Sequence, residues 1–250
     1  MASSVEEYVA YRKSSAFSKF NESPTLFSAI GAVEGLNVLD LGCGIGYYSR
    51  ILAEKGAKYV LGIDISEDVI TAAGECLQGE EPLPNLEFKL MDATKMEFEN
   101  KFDLVLANYT LCHAQSKEQL QLMCRRMYAC LVPGGRAVGI IQVADKTTDF
   151  AKALGTGRYG MILNIPKDIK EGDPFSVQIY NSHCEPKHIA TNYWYNKDTY
   201  EQAFKDSGFY SFSVDKFKVS TEGLETMGPE FWKPIMTNPI YGLFEAKKLN

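Results

Sequence analysis

The chain has 250 residues, 45% of them hydrophobic, and a net charge of −6; it can bury one full core and carry an added lobe, so a single domain over 1–250 with an insertion is expected. The acidic balance offers no positive field to gather phosphates, which argues against nucleic acid and for a small-molecule partner. Neither the N-terminal "MASSVEEYVAYRKSSAF" nor any later window approaches the ~20 apolar residues of a membrane span, so no membrane partner is expected and the expected location is cytoplasmic.

Residues 1–34 read as an N-terminal helical cover, in which "SPTLFSAIGAVEG" predicts a short helix: Ser23 can cap it, Pro24 suits its first turn, and Gly31 or Gly35 can end it. "LNVLDL" is a continuous apolar strand, "GYYSRILAEKGA" a helix closed by Gly56, "KYVLGID" a second strand, and "SEDVITAAGECL" a helix opened by Ser66 with acids in its first turn. "NLEFKLMD" and the buried strand "FDLVLAN" follow. A helix then runs from Ser116 through "KEQLQLMCRRMYACL", with Ser116 and Gln119 at capping-box spacing, and Pro133, Gly134 and Gly135 are expected to stop it before the strand "RAVGIIQV". Strands separated by helices, each strand too apolar for a wet face, imply an α/β, doubly wound, mostly parallel sheet, with its core over 35–144.

Over 145–195 this rhythm breaks. Glycines, a strand "FSVQIYN" and the aromatic run "NYWYN" read as a lid inserted over the sheet. The core resumes over 196–250 with the helix "DTYEQAFKDSG", a strand near "YSFSVDKFKVS", short helical pieces around "GLETMGPEFWKPI" and a final strand "IYGLFEAKK". The cysteines Cys43, Cys76, Cys112, Cys124, Cys130 and Cys184 show neither C-x-x-C nor zinc spacing with histidine, so free thiols and no metal are expected.

The turn "VLDLGCGIGYYS" carries the chemistry. Glycines after a first strand let a ligand lie against a helix N-terminus. Gly42, Gly44 and Gly46 are spaced G-x-G-x-G, and Tyr47 occupies the place of the third glycine of a dinucleotide fingerprint, which argues against a dehydrogenase. Asp40, just before the glycines, would repel a pyrophosphate but favour an ammonium group, directly or through water. Asp64, ending the second strand, stands where an acid accepts from ribose hydroxyls. Asp92, ending the third, is placed for an adenine amino group, with the Ala93 backbone N–H beside it. Each acid has a plainer reading as a helix cap or turn residue.

With "FDLVLANYTL" and "LVPGGRAVG", these positions resemble the motifs of the class I S-adenosylmethionine-dependent methyltransferases, over roughly residues 35 to 143. The resemblance implies a seven-stranded Rossmann-like sheet with an antiparallel final strand. It implies the cofactor S-adenosyl-L-methionine, leaving as S-adenosyl-L-homocysteine, held by Tyr11, Asp40, Gly42, Gly44, Asp64, Ile65, Asp92, Ala93 and Asn108. The flanks "YRKSSAFSKF", "EGDPFSVQIYN", "DTYEQAFKDSGF" and "VSTEGLETMGPEFW" resemble the toxoflavin-type small-molecule methyltransferases. That likeness implies methyl transfer to a small heteroaromatic or nitrogenous metabolite, nitrogen before oxygen or sulfur, by a monomer or homodimer.

Methyl transfer from a sulfonium is an in-line displacement, so the enzyme mainly positions the acceptor and excludes water. His113, in the loop after "FDLVLAN", is the candidate general base, or else a residue that caps a helix or bonds backbone. Tyr109, Tyr180, His183, Tyr193 and Tyr195 are the candidate acceptor contacts, although "TNYWYN" equally suits a half-buried strand. A protein or RNA methyltransferase and a non-catalytic S-adenosylmethionine-binding module are the alternatives. The first is disfavoured by "ANYT", which lacks the prolines of N-P-P-Y.

Overall fold

The computed structural model describes residues 14–75, 83–144, 158–180 and 186–250. A π-helical segment, Ser18–Glu22, runs straight into helix α1 (Ser23–Ile30), where Pro24 sits in the first turn and Gly31, at φ 65°, ends the helix. Ser23 is not the cap expected from the sequence. The residues before it are already helical, so there is no open helix end to satisfy, and its hydroxyl meets the Tyr48 hydroxyl at 3.2 Å instead.

Strand β1 (Asn37–Leu41) leads through the glycine turn to α2 (Tyr47–Glu54), β2 (Tyr59–Asp64), α3 (Glu67–Glu75) and β3 (Leu86–Leu90). Then come β4 (Phe102–Asn108), α4 (Lys117–Cys130) and β5 (Leu131–Gln142). After an insertion, α5 (Lys197–Asp206), β9 (Ser211–Lys216), α6 (Thr221–Met227), α7 (Pro229–Thr237) and β10 (Tyr241–Lys247) complete the core. The seven core strands form one sheet in the order β3-β2-β1-β4-β5-β10-β9. The sheet is parallel except for β10, which runs antiparallel to both β5 and β9. Strand order reverses direction between β1 and β4, the switch point where a doubly wound sheet opens a crevice at its carboxyl edge.

Alternation along the strands builds two apolar layers. Val38, Leu104, Leu106, Val138 and Ile140 face α1, α2 and the insertion, while Leu39, Leu41, Val105, Ala107 and Ile141 face α4 and α5. The junction of α4 and β5 differs from the expectation. Ser116 does cap α4, its Oγ accepting from the Gln119 N–H at 3.2 Å. The helix stops at Cys130 because the Asn100 and Lys101 N–H groups donate to the Ala129 and Cys130 carbonyls at 2.9 and 2.8 Å. Pro133, Gly134 and Gly135 then lie inside β5, where a register shift between Phe102 and Leu104 of β4 absorbs them.

Within the insertion, β6 (Met161–Asn164), β7 (Pro174–Tyr180) and β8 (Pro186–Tyr193) form a three-stranded antiparallel sheet. Met161, Phe175 and Val177 join the apolar layer of α1 and α2. Polar ties also fasten this insertion: an ion pair between Lys117 and Glu171 and the Tyr195 hydroxyl donating to the Ala114 carbonyl at 2.9 Å. No helix among the described residues is long and apolar enough to cross a membrane.

Candidate active site

The three turn glycines do different work. A Cβ on Gly42 (φ 70°) would lie 2.6 Å from Thr110 Oγ1, and one on Gly46 (φ 78°) would lie 2.2 Å from the Phe88 ring. Those two are required by packing and by backbone conformation. Gly44 (φ 56°) has nothing within 4 Å on its Cβ side, so it presents open backbone at the carboxyl edge of the sheet.

Asp64 fixes that loop. Its Oδ2 accepts from the Gly44 N–H at 3.1 Å and its Oδ1 from the Ser66 N–H at 3.0 Å. A carboxylate oxygen has two acceptor sites, so each oxygen retains capacity for a ribose hydroxyl. Ile65 beside it is 70% exposed, an apolar face suited to a flat ring. Asp92 caps the turn that follows β3, its Oδ1 accepting from both the N–H and the hydroxyl of Thr94 at 2.8 Å. Burial pushes its carboxyl upward, but the Thr94 hydrogen bonds and the Lys95 ammonium outweigh it and hold the group below its ordinary value. Ala93 opens the same turn.

Asp40 is 2% exposed, and its Oδ2 accepts from Ser49 Oγ at 2.5 Å, which braces β1 against α2. Burial raises its pKa to about 7, partly offset by the Ser49 hydrogen bond and reinforced by the charge of Asp64.

At the end of β4 the Asn108 Oδ1 is buried without a hydrogen-bond partner. Tyr109 follows in the left-handed region at φ 56°, a conformation that costs a non-glycine residue on the order of 1 kcal/mol. It is held there by its N–H donating to the Ile140 carbonyl at 3.1 Å, by its ring edge-on to Tyr241 at 5.0 Å, and by its hydroxyl donating to Glu22 Oε2 at 2.8 Å. Glu22, 1% exposed, also accepts from the Tyr48 hydroxyl at 2.5 Å. The cover segment is thus clasped to both α2 and the end of β4. His113 is exposed, with Nδ1 3.0 Å from the Thr191 carbonyl of β8. A carbonyl only accepts, so Nδ1 carries the proton and Nε2 is the basic atom.

Residues 38–135 match the family model described as a methyltransferase domain. Over those residues the chain carries a methyltransferase domain. It is similar to phosphoethanolamine N-methyltransferase 3 of Arabidopsis thaliana, 39% identical over 147 residues that make up 58% of this chain and 27% of the relative. The chain thus spans about a quarter of the length of the first curated relatives it matches. Among solved structures, an S-adenosylmethionine-dependent methyltransferase from Mesorhizobium loti superposes with a TM-score of 0.65 at 22% identity, covering 94% of this chain and 99% of that one. The Haemonchus contortus phosphoethanolamine N-methyltransferase 2, in complex with phosphomonomethylethanolamine and S-adenosylhomocysteine, superposes with a TM-score of 0.61 at 17% identity, covering 98% and 58%.

The aromatic residues of the insertion are disposed less uniformly than their sequence suggests. Tyr195 and Trp194 are 0% and 1% exposed. Tyr195 packs edge-on to Tyr200 and spends its hydroxyl on Ala114, so it is a core residue and not a wall of the acceptor site. Tyr193 is half-buried at the end of β8, and Tyr180 ends β7. Tyr11 and His183 lie outside the described residues. Glu22 was missed by sequence reasoning. It sits 87 residues from Tyr109, and no local pattern marks it. Among the described residues no group of three or more His, Cys, Asp or Glu side chains is placed to hold a metal.

Proposed function

We propose that this chain transfers the methyl group of S-adenosylmethionine to a small heteroaromatic or nitrogenous acceptor, with nitrogen the favoured atom. The observation that carries the reading is the open backbone at Gly44, braced by Asp64 at the switch point, with the exposed apolar face of Ile65 beside it. The residues fit the cofactor. Asp64 would take the ribose hydroxyls, Ile65 a face of the adenine and Asp92 its amino edge, while the orphaned Asn108 Oδ1 is an acceptor awaiting a donor. The cofactor, when bound, supplies an electrophilic methyl on a sulfonium.

The protein's own part is placement and dryness. The Glu22 clasp to Tyr48 and Tyr109 and the Thr191 contact at His113 both reach the loop that follows β4, so the N-terminal segment and the insertion would cover the same edge of the sheet. Where the acceptor must lose a proton, His113 Nε2 receives it, the ring being oriented by the Thr191 carbonyl. Several curated relatives are named phosphoethanolamine N-methyltransferase, which supports nitrogen as the acceptor atom, while another is named a sterol 24-C-methyltransferase. The test is incubation of the full chain with methyl-labelled S-adenosylmethionine and a metabolite extract, followed by mass spectrometry. A labelled nitrogenous product is expected, and cofactor binding without any labelled product would reduce the chain to a binding module.

A further inference from the structure

Gln142 is the last residue of β5 and is 1% exposed, yet neither its Nε2 nor its Oε1 has a hydrogen-bond partner. It is the one described side chain with two such buried atoms. Burial of an unpaired amide is unfavourable, so a residue of this kind calls for a ligand or an explanation.

Its position supplies one. Asn108, the last residue of β4, pairs with Ile140 of β5, and Gln142 lies two residues further along the same strand. Residues two apart share a face, so Gln142 stands on the face of Asn108 and Ile140, at a level where β4 has already ended. Directly across the β5 and β10 pair is Tyr241, whose side chain neighbours that of Gln142 and whose ring packs edge-on to Tyr109. Two unpaired amide atoms, the unpaired Asn108 Oδ1 and two tyrosine rings therefore gather at one point of the carboxyl edge. This point lies on the β5 side of the switch point, opposite Asp64 and Asp92 on β2 and after β3, which the nucleoside occupies in the methyl-transfer reading.

Resting on that reading, we propose that Gln142 is a specificity-determining residue of the acceptor subsite. Its carboxamide pairs with an acceptor edge that presents an N–H donor beside a carbonyl, as a lactam or cyclic amide does. A carboxamide offers one donor face and one acceptor face in a plane, so it forms two parallel hydrogen bonds with such an edge and fewer with a simple amine. The flanking tyrosines give a planar ligand its apolar contact.

The test uses the full chain as wild type, Gln142→Met, which keeps the length of the side chain, and Gln142→Ala. Melting is measured without ligand, S-adenosylhomocysteine affinity by calorimetry, and contact with uracil by saturation-transfer NMR with S-adenosylhomocysteine saturating. Gln142→Met is expected to melt roughly 2–8 °C higher than wild type, because no unpaired amide remains. It should bind S-adenosylhomocysteine unchanged and uracil at least about tenfold more weakly. Gln142→Ala should lose uracil equally while melting lower than the Met variant. The proposal is overturned by equal uracil contact in wild type and both variants, by no uracil contact in a wild type that binds S-adenosylhomocysteine, or by a Met variant that melts lower than wild type. A wild type that does not bind S-adenosylhomocysteine would remove the methyl-transfer reading itself, and the proposal with it.

Discussion

Replacing Asp40 by Asn should flatten the acid-to-neutral part of the stability profile. Asp40 is buried at 2% exposure against α2, and its pKa in the folded chain is about 7 against a reference of 3.8. Between those values the unfolded chain has lost the proton and the folded chain keeps it, so stability falls as pH rises, by about 1.4 kcal/mol per unit for this one group. The contribution is fully present below the unfolded pKa and is lost by the time pH passes the folded pKa, a change of about 4 kcal/mol as an upper bound. An amide of the same shape still accepts from Ser49 but does not ionise. Urea melts of both chains from pH 4.5 to 8 isolate the effect, because other titrating groups are common to both. The wild type should lose about 2 kcal/mol relative to Asp40→Asn between pH 5 and pH 7. Parallel profiles would refute the reasoning and show that Asp40 ionises without a burial penalty.

Asp64→Ala should weaken S-adenosylhomocysteine binding by about 1.5–3 kcal/mol if both ribose hydroxyls pair with this side chain; calorimetry giving wild-type affinity in a folded variant would remove Asp64 from the site. Gly42→Ala, which sets a Cβ 2.6 Å from Thr110 Oγ1, should lower the melting temperature by more than Gly44→Ala, whereas Gly44→Ala should lose more affinity for S-adenosylhomocysteine; thermal melts and calorimetry on both variants check the ordering. His113→Asn keeps an N–H to offer the Thr191 carbonyl but has no basic atom in place of Nε2. Where the acceptor must lose a proton, its turnover should fall roughly 10²–10⁴-fold with hydrogen exchange of β8 unchanged, and full turnover with faster exchange would make His113 a strut for β8.

Continuous apolar runs were legible: "FDLVLAN" is β4 from Phe102 to Asn108, residue for residue. Alternating strands and helices implied the doubly wound sheet, whose β10 runs antiparallel. Features set by distant partners were not legible. Ser23 loses its capping role because the preceding residues continue the helix. Pro133, Gly134 and Gly135 are breakers by local preference, yet the strand runs through them between its pairings with β4 at Leu131 and Arg136, the Gly134 N–H donating to the Leu249 carbonyl at 3.1 Å and the Gly135 carbonyl accepting from the Lys248 N–H at 2.9 Å, as tertiary context overrides propensity.

The site shows the same division. Position along the strand placed Asp64 and Asp92 at the carboxyl edge correctly, because a strand end is visible in sequence. It did not show that Asp40, one residue before the end of β1, turns inward to Ser49. A strand covered on both faces buries every residue before its last, and that rule was the available signal. Glu22 and Gln142 join the edge only through the folded sheet and cover.

The most direct measurement is calorimetric titration of the full chain with S-adenosylhomocysteine and, separately, with NAD. A site built on Gly44, Asp64 and Ile65 predicts saturable binding of S-adenosylhomocysteine, lost or much weakened in Asp64→Ala, and no heat with NAD. Tight binding of NAD with no response to S-adenosylhomocysteine would contradict it.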